Sequence, residues 1–175
     1  MDLHNTVFEV IDMRSFSNLW YWIGLAVLWS SASHWILGVP FDLIQRASRK
    51  GGAAMEDLEG LVRINVNRIH YIFTATGLWL IGIASFTLTM LALLGFYYLI
   101  EFCQAVFLMA FPMSLVTVLS AFTARRIRRQ RPKGDALVRA LRIHRLGTQV
   151  IGVIAILVTA LWGMYQNLSI GALGG

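Results

Sequence analysis

Four apolar runs, each long enough to cross a bilayer, limit what this chain can fold into. Leu19–Val39 holds 21 residues without an Asp, Glu, Lys or Arg, and Leu146–Tyr165 holds 20. Between them, Ile69–Leu94 and Leu99–Thr123 contain a single such charge, Glu101. About 20 helical residues, at about 1.5 Å each, match about 30 Å of hydrocarbon. Backbone N–H and C=O groups find no water in hydrocarbon, so each run must close its hydrogen bonds internally, as a helix does. The expected fold is all-α, an integral membrane four-helix bundle in one domain, 1–175, with transmembrane helices over about 19–39, 69–94, 99–123 and 146–165. Composition agrees, because 57% of the residues are hydrophobic, above the roughly 45–50% of a soluble domain.

The charges orient the bundle. Of the fifteen Lys and Arg, five fall in the loop 40–68 and nine in the loop 124–145, leaving only Arg14 elsewhere. Basic residues flanking spans stay on the cytoplasmic side, so both loops are expected there and both termini outside. The densest cations, Arg125, Arg126, Arg128, Arg129, Arg131 and Lys133, form a candidate contact for anionic lipid or for a partner chain. Anionic headgroups are worth on the order of 1 kcal/mol per cation. Nucleic acid is not indicated, since no aromatic platform or binding motif accompanies these arginines. The amino terminus has acidic residues before its first apolar run, with no basic start or small-residue cleavage site, so the first helix is expected to be retained.

Taken in order, residues 1–18 place Leu3, Val7 and Ile11 at four-residue spacing, which predicts a short amphipathic helix in the interface. Ser17 or Asn18 can cap the first span, Trp20, Tyr21, Trp22 and Trp35 sit near its ends, and Pro40 should end it. Gly51-Gly52 divides the next segment into two helical pieces, the second continuous with the second span. Met55, Leu58, Val62, Asn65, Ile69 and Ile72 form a heptad seam on that piece. A turn at Gly95–Tyr98 leads to the third span, where Pro112 removes the hydrogen bond to the Leu108 carbonyl and predicts a kink, with Ser114 available to the freed groups. That helix continues to Gln130 as a cytoplasmic extension, Arg131–Gly134 breaks it, and Asp135 can cap the last helix. Leu137, Leu141, His144, Thr148 and Ile151 share one face of the last helix, and Ala155, Thr159 and Gly163 give it a small-residue stripe. Residues 169–175 have no charge and little pattern and are expected to be loose.

Few groups could carry chemistry. His34, His70 and His144 come from three different helices near the cytoplasmic interface, a spread from which a bundle could hold b-type haem or quinone. Histidines beside headgroups also serve as plain hydrogen-bonding groups. Ser30, Ser31 and Ser33 precede His34 in a polar patch expected to face other helices. Glu101, the only acidic residue in the four runs, is a possible coupling carboxylate, although its few residues of separation from the turn leave it close to water. One cysteine, Cys103, excludes an internal disulfide and a Cys-x-x-Cys site. No phosphate loop, nucleophile elbow or His-Glu-x-x-His occurs, so neither a metal nor a complete catalytic set is expected.

Three stretches are similar to a family of small alphaproteobacterial integral membrane proteins: Val-Phe-Glu-Val-Ile-Asp-Met-Arg-Ser-Phe-Ser-Asn, Ala-Ser-His-Trp-Ile-Leu-Gly-Val-Pro-Phe-Asp and Ala-Leu-Trp-Gly-Met-Tyr-Gln-Asn-Leu. Some members are labelled components of the Suf iron–sulfur assembly complex. The resemblance implies a bacterial inner membrane and carries over no functional residue. Cluster handling needs thiolates, and Cys103 alone stands toward the outer face. The expected role is a non-enzymatic accessory, assembly or scaffold protein packing against partner membrane chains or a second copy. The alternatives are a haem or quinone module using His34, His70 and His144, and a proton- or ion-coupled carrier using Glu101.

Overall fold

The computed structural model describes residues 15–173, with side chains through Leu168. The expected interfacial helix falls outside the described residues up to position 14. The rest of that segment, Ser15–Ser17, is a single 3-10 turn. Beyond it lie five helices, α1 (Leu19–His34), α2 (Phe41–Lys50), α3 (Gly52–Ala92), α4 (Glu101–Gln130) and α5 (Gly134–Leu173), with a two-stranded hairpin, β1 (Trp35–Ile36) and β2 (Val39–Pro40), between α1 and α2. Among the described residues three segments are long and apolar enough to cross a membrane, Gly52–Tyr97, Glu101–Gln130 and Gly134–Leu168. The chain is thus all-α and fits an integral membrane protein.

Helix α1 is shorter than its apolar run. Asn18 caps it, its side-chain oxygen accepting from the Trp20 N–H at 3.0 Å. Hydropathy predicts a helix running to Pro40, but α1 stops at His34, because Leu37 (φ 52°) and Gly38 (φ 77°) take the positive angles of a two-residue hairpin turn. Leucine in that conformation costs roughly 1–2 kcal/mol. Leu37 is only 5% exposed, so burial of its side chain offsets the strain. Asn65 of the expected seam donates from Nδ2 to the Gly38 carbonyl at 3.2 Å, which ties the hairpin to α3. The 16 residues of α1 span about 24 Å.

Gly51 (φ 59°) and Gly52 (φ 51°) separate α2 from α3 as the sequence predicts. Helix α3 then runs unbroken for 41 residues and widens into a π-helical turn, Leu93–Tyr97. Leu99 (φ 58°) reverses the chain into α4. Helix α4 passes through the buried Pro112 without interruption, where Ser114 Oγ donates to the Phe111 carbonyl at 2.6 Å rather than to Leu108. Arg131 (φ 46°) ends it. Helix α5 begins at Gly134, whose N–H donates to Glu59 Oε1 at 2.8 Å, so a carboxylate from α3 supplies the cap assigned to Asp135. Its backbone stays helical to Leu173, and the tail expected to be loose from Ser169 is helical over that length.

Packing divides into two cores instead of one four-helix core. At the end carrying Arg125–Lys133, called here the basic end, Ile36 and Leu37 of the hairpin and Ile44 of α2 pack with Leu58, Val62 and Val66 of α3, Ile127 of α4, and Leu137 and Leu141 of α5. The seam therefore holds from Met55 to Ile69 and ends there, since Ile72 is exposed. Further along, Leu25 and Trp29 of α1 pack with Val116 of α4 and Ala155 of α5, and no α3 residue joins this second core. Close approach is set by glycine. A Cβ on Gly152 would sit 2.7 Å from the Trp29 ring, and one on Gly163 would sit 3.4 Å from Phe16 and Trp22.

Candidate functional site

The three candidate histidines, His34, His70 and His144, occupy unlike surroundings. His144 is buried on the α5 face the sequence assigns it to, with Nδ1 at 3.1 Å from Thr123 Oγ1 and Nε2 at 3.4 Å from Ser120 Oγ. Both ring nitrogens thus face hydroxyls of α4. His70 is half-buried on α3 and its carbonyl accepts from Thr74 Oγ1. His34 is exposed, its ring edge-on to Trp35 with centroids 5.7 Å apart. Ser30 and Ser31 are exposed with it, and of the polar patch expected to face other helices only Ser33 is half-buried. Helix α1 ends just beyond it, and the hairpin points Ile36 rather than His34 into the core. Among the described residues no group of three or more His, Cys, Asp and Glu is placed to hold a metal ion.

Glu101 lies in the first turn of α4 and accepts the Phe16 N–H on Oε1 at 2.8 Å. One turn on, Gln104 is fully buried and joins three elements. Its Nε2 donates to the Gly95 carbonyl at 2.8 Å, and its Oε1 accepts from Trp162 Nε1 at 3.0 Å and from Gln166 Nε2. Carbonyl and indole leave no freedom in the amide's orientation, since one only accepts and the other only donates. Sequence reasoning passed over Gln104. The available signal was a second polar residue in an apolar run, one turn after Glu101, because such groups seek partners on neighbouring helices. Gly95 is required here, as a Cβ would lie 2.9 Å from the Gln104 backbone nitrogen. Cys103 is partly buried beside this knot.

At the basic end the cations divide into two sets. Arg63 of α3, Arg128 of α4, and Arg131 and Lys133 of the linker line a cleft of about 500 Å³ together with Glu56 and Glu59. Arg125, Arg126 and Arg129 do not line it, and Arg126 Nε donates to Gln130 at 3.2 Å. The cleft floor is apolar, formed by Val62, Val66, Ile127 and Leu137, each at most 7% exposed. Arg145 is used structurally: Nε donates to the Ser33 carbonyl at 3.3 Å and the guanidinium lies 3.6 Å from the Phe41 ring centroid, a cation–π arrangement.

The middle of α3 is almost unpacked. Between Asn67 and Ala92 only Gly77 is buried among the described residues. Trp79 is 75% exposed, and it lines a shallow recess around Gly82 with Leu78, Ile83 and Phe86. No protein-family model, curated protein or solved structure matches the chain.

Proposed function

We propose that the protein is a non-enzymatic assembly or scaffold component of a bacterial inner membrane, presenting the mid-membrane face of α3 to a partner membrane chain. The observation that carries this is Trp79. It lies ten residues past Ile69, about 15 Å along the helix and close to half the depth of about 30 Å of hydrocarbon. Indole rings favour the headgroup level, where their N–H finds an acceptor. Among the described residues the Trp79 N–H has none, and lipid tails offer none. A neighbouring helix supplies both the acceptor and the packing. Gly82, with open space where its Cβ would be, lets that backbone come close, as small residues do at membrane helix interfaces.

In this proposal the chain crosses four times. Ser17 Oγ donates to Asn167 Oδ1 at 2.8 Å, and Arg145 Nε reaches the Ser33 carbonyl. Both ends of α1 are thereby tied to the ends of the uncharged run Leu146–Tyr165, with the long Arg145 side chain making up for α1's shorter length. The charge distribution places the basic end in the cytoplasm and both termini in the periplasm. The haem or quinone and carrier alternatives have less geometric support, because His34 is exposed, both His144 nitrogens face hydroxyls and Glu101 accepts the Phe16 N–H.

A photo-crosslinking amino acid at Trp79 or Ile83, activated in intact membranes, tests this. A discrete protein adduct is expected from both positions, and none from Leu157, which is exposed on α5. Lipid adducts alone at all three positions would refute the proposal.

A further inference from the structure

The cleft at the basic end has features that a diffuse polybasic surface lacks. Four cations, Arg63, Arg128, Arg131 and Lys133, face two carboxylates, Glu56 and Glu59. Glu59 is committed to the Gly134 N–H. Among the described residues none of the four cationic side chains has an ion-pair or hydrogen-bond partner, although the carboxylates line the same cleft. Four positive charges against two negative leave a formal excess of two. Arg128 in the last turn of α4 and Arg131 just past its end both line the cleft, and Arg131 at φ 46° turns Pro132 and Lys133 onto the cleft wall. Guanidinium forks match phosphate oxygens in pairs. The floor below them is apolar, and about 500 Å³ lies within the range of about 300–1,000 Å³ typical of small-molecule sites.

We propose that this cleft is a binding site for a phosphate-bearing anion with an apolar portion, its phosphate held by Arg128, Arg131, Arg63 and Lys133 and its apolar part on Val62, Val66, Ile127 and Leu137. A doubly charged phosphate monoester matches the excess of two charges. The source is either the headgroup of a lipid such as phosphatidic acid or a soluble phosphate. The cleft starts at Val66 and Ile127, near the apolar boundary, and opens away from it to Glu56 and Lys133, within reach of both sources. This proposal stands on different residues from the α3 partner face and is tested separately.

The test uses the full chain in neutral detergent, titrated calorimetrically with short-chain phosphatidic acid and, separately, with inorganic pyrophosphate. Saturable binding at one site per chain is expected for at least one probe. Binding of phosphatidic acid alone assigns the site to a lipid headgroup; binding of pyrophosphate as well assigns it to a soluble phosphate. The double variant Arg128→Gln/Arg131→Gln should weaken binding by on the order of tenfold or more, whereas Arg126→Gln/Arg129→Gln, which removes equal charge from the same end of the molecule, should weaken it by less than about threefold. If the first variant fails to fold, Arg63→Gln/Lys133→Gln replaces it, with the same expected loss. Equal weakening by the cleft pair and the control pair, or saturable binding of neither probe, overturns the proposal.

Discussion

Replacing Gln104 by Leu keeps most of the side-chain volume and removes its three side-chain hydrogen bonds at the junction of α4, α5 and the π-helical turn. The Gly95 carbonyl and the Trp162 indole N–H lose their side-chain partner and the Gln166 amide loses its bond to Gln104, at a position with no exposure. Hydrogen bonds between membrane helices are worth about 0.6 kcal/mol on average and up to about 1.7. Three of them give about 2–5 kcal/mol of destabilisation, and unpaired buried groups push the value upward. Reversible unfolding in mixed micelles of mild and denaturing detergent, followed by tryptophan fluorescence, measures it. A companion Trp162→Phe variant keeps an aromatic ring against Phe96, whose centroid is 5.3 Å away, and removes only the donor. The two substitutions should couple by about 0.6–1.7 kcal/mol in a double-mutant cycle. A Gln104→Leu cost below about 0.5 kcal/mol, or zero coupling to Trp162, would refute the assignment of Gln104 as the polar centre of this end.

Gly152→Leu should destabilise the chain by about 1–3 kcal/mol or more through overpacking on Trp29, whereas Gly82→Leu, facing open space, should change unfolding by no more than about 0.5 kcal/mol while abolishing crosslinks from Trp79. In a Cys103→Ala background, cysteines at Gly51 and Lys133 should be protected from impermeant reagent in intact cells and a cysteine at Leu168 should react; the opposite pattern inverts the orientation. Protein purified from haem-replete cells should show no Soret band, because His144 is engaged by Ser120 and Thr123 and His34 is exposed. A stoichiometric band lost on His144→Ala would reinstate the haem alternative.

The helical elements of this chain can be read from local pattern because their causes are local. Apolar length dictates the long helices, Gly51-Gly52 divides α2 from α3, Arg131–Gly134 separates α4 from α5, and the spacing of Leu137, Leu141, His144 and Thr148 gives the buried face of α5. The sequence also shows where charge concentrates and that it contains no thiolate pair or metal motif. Tertiary structure decided whatever depends on a partner distant in the chain. Helix α1 stops at His34 because Asn65 and a buried Leu37 make a hairpin favourable inside a run whose hydropathy alone would continue the helix. Glu59 displaces Asp135 as the cap of α5 by approaching from 75 residues away. Six cations look equivalent in the sequence, and only the packing of α3 against α4 separates those that line a cleft from those that do not. Hydropathy likewise cannot tell a helix packed on its own chain from one left open, since both are apolar. That α3 contributes nothing to the second core is settled by shape, by where Gly152 and Gly163 admit Trp29, Trp22 and Phe16, and shape exists only once the helices have met.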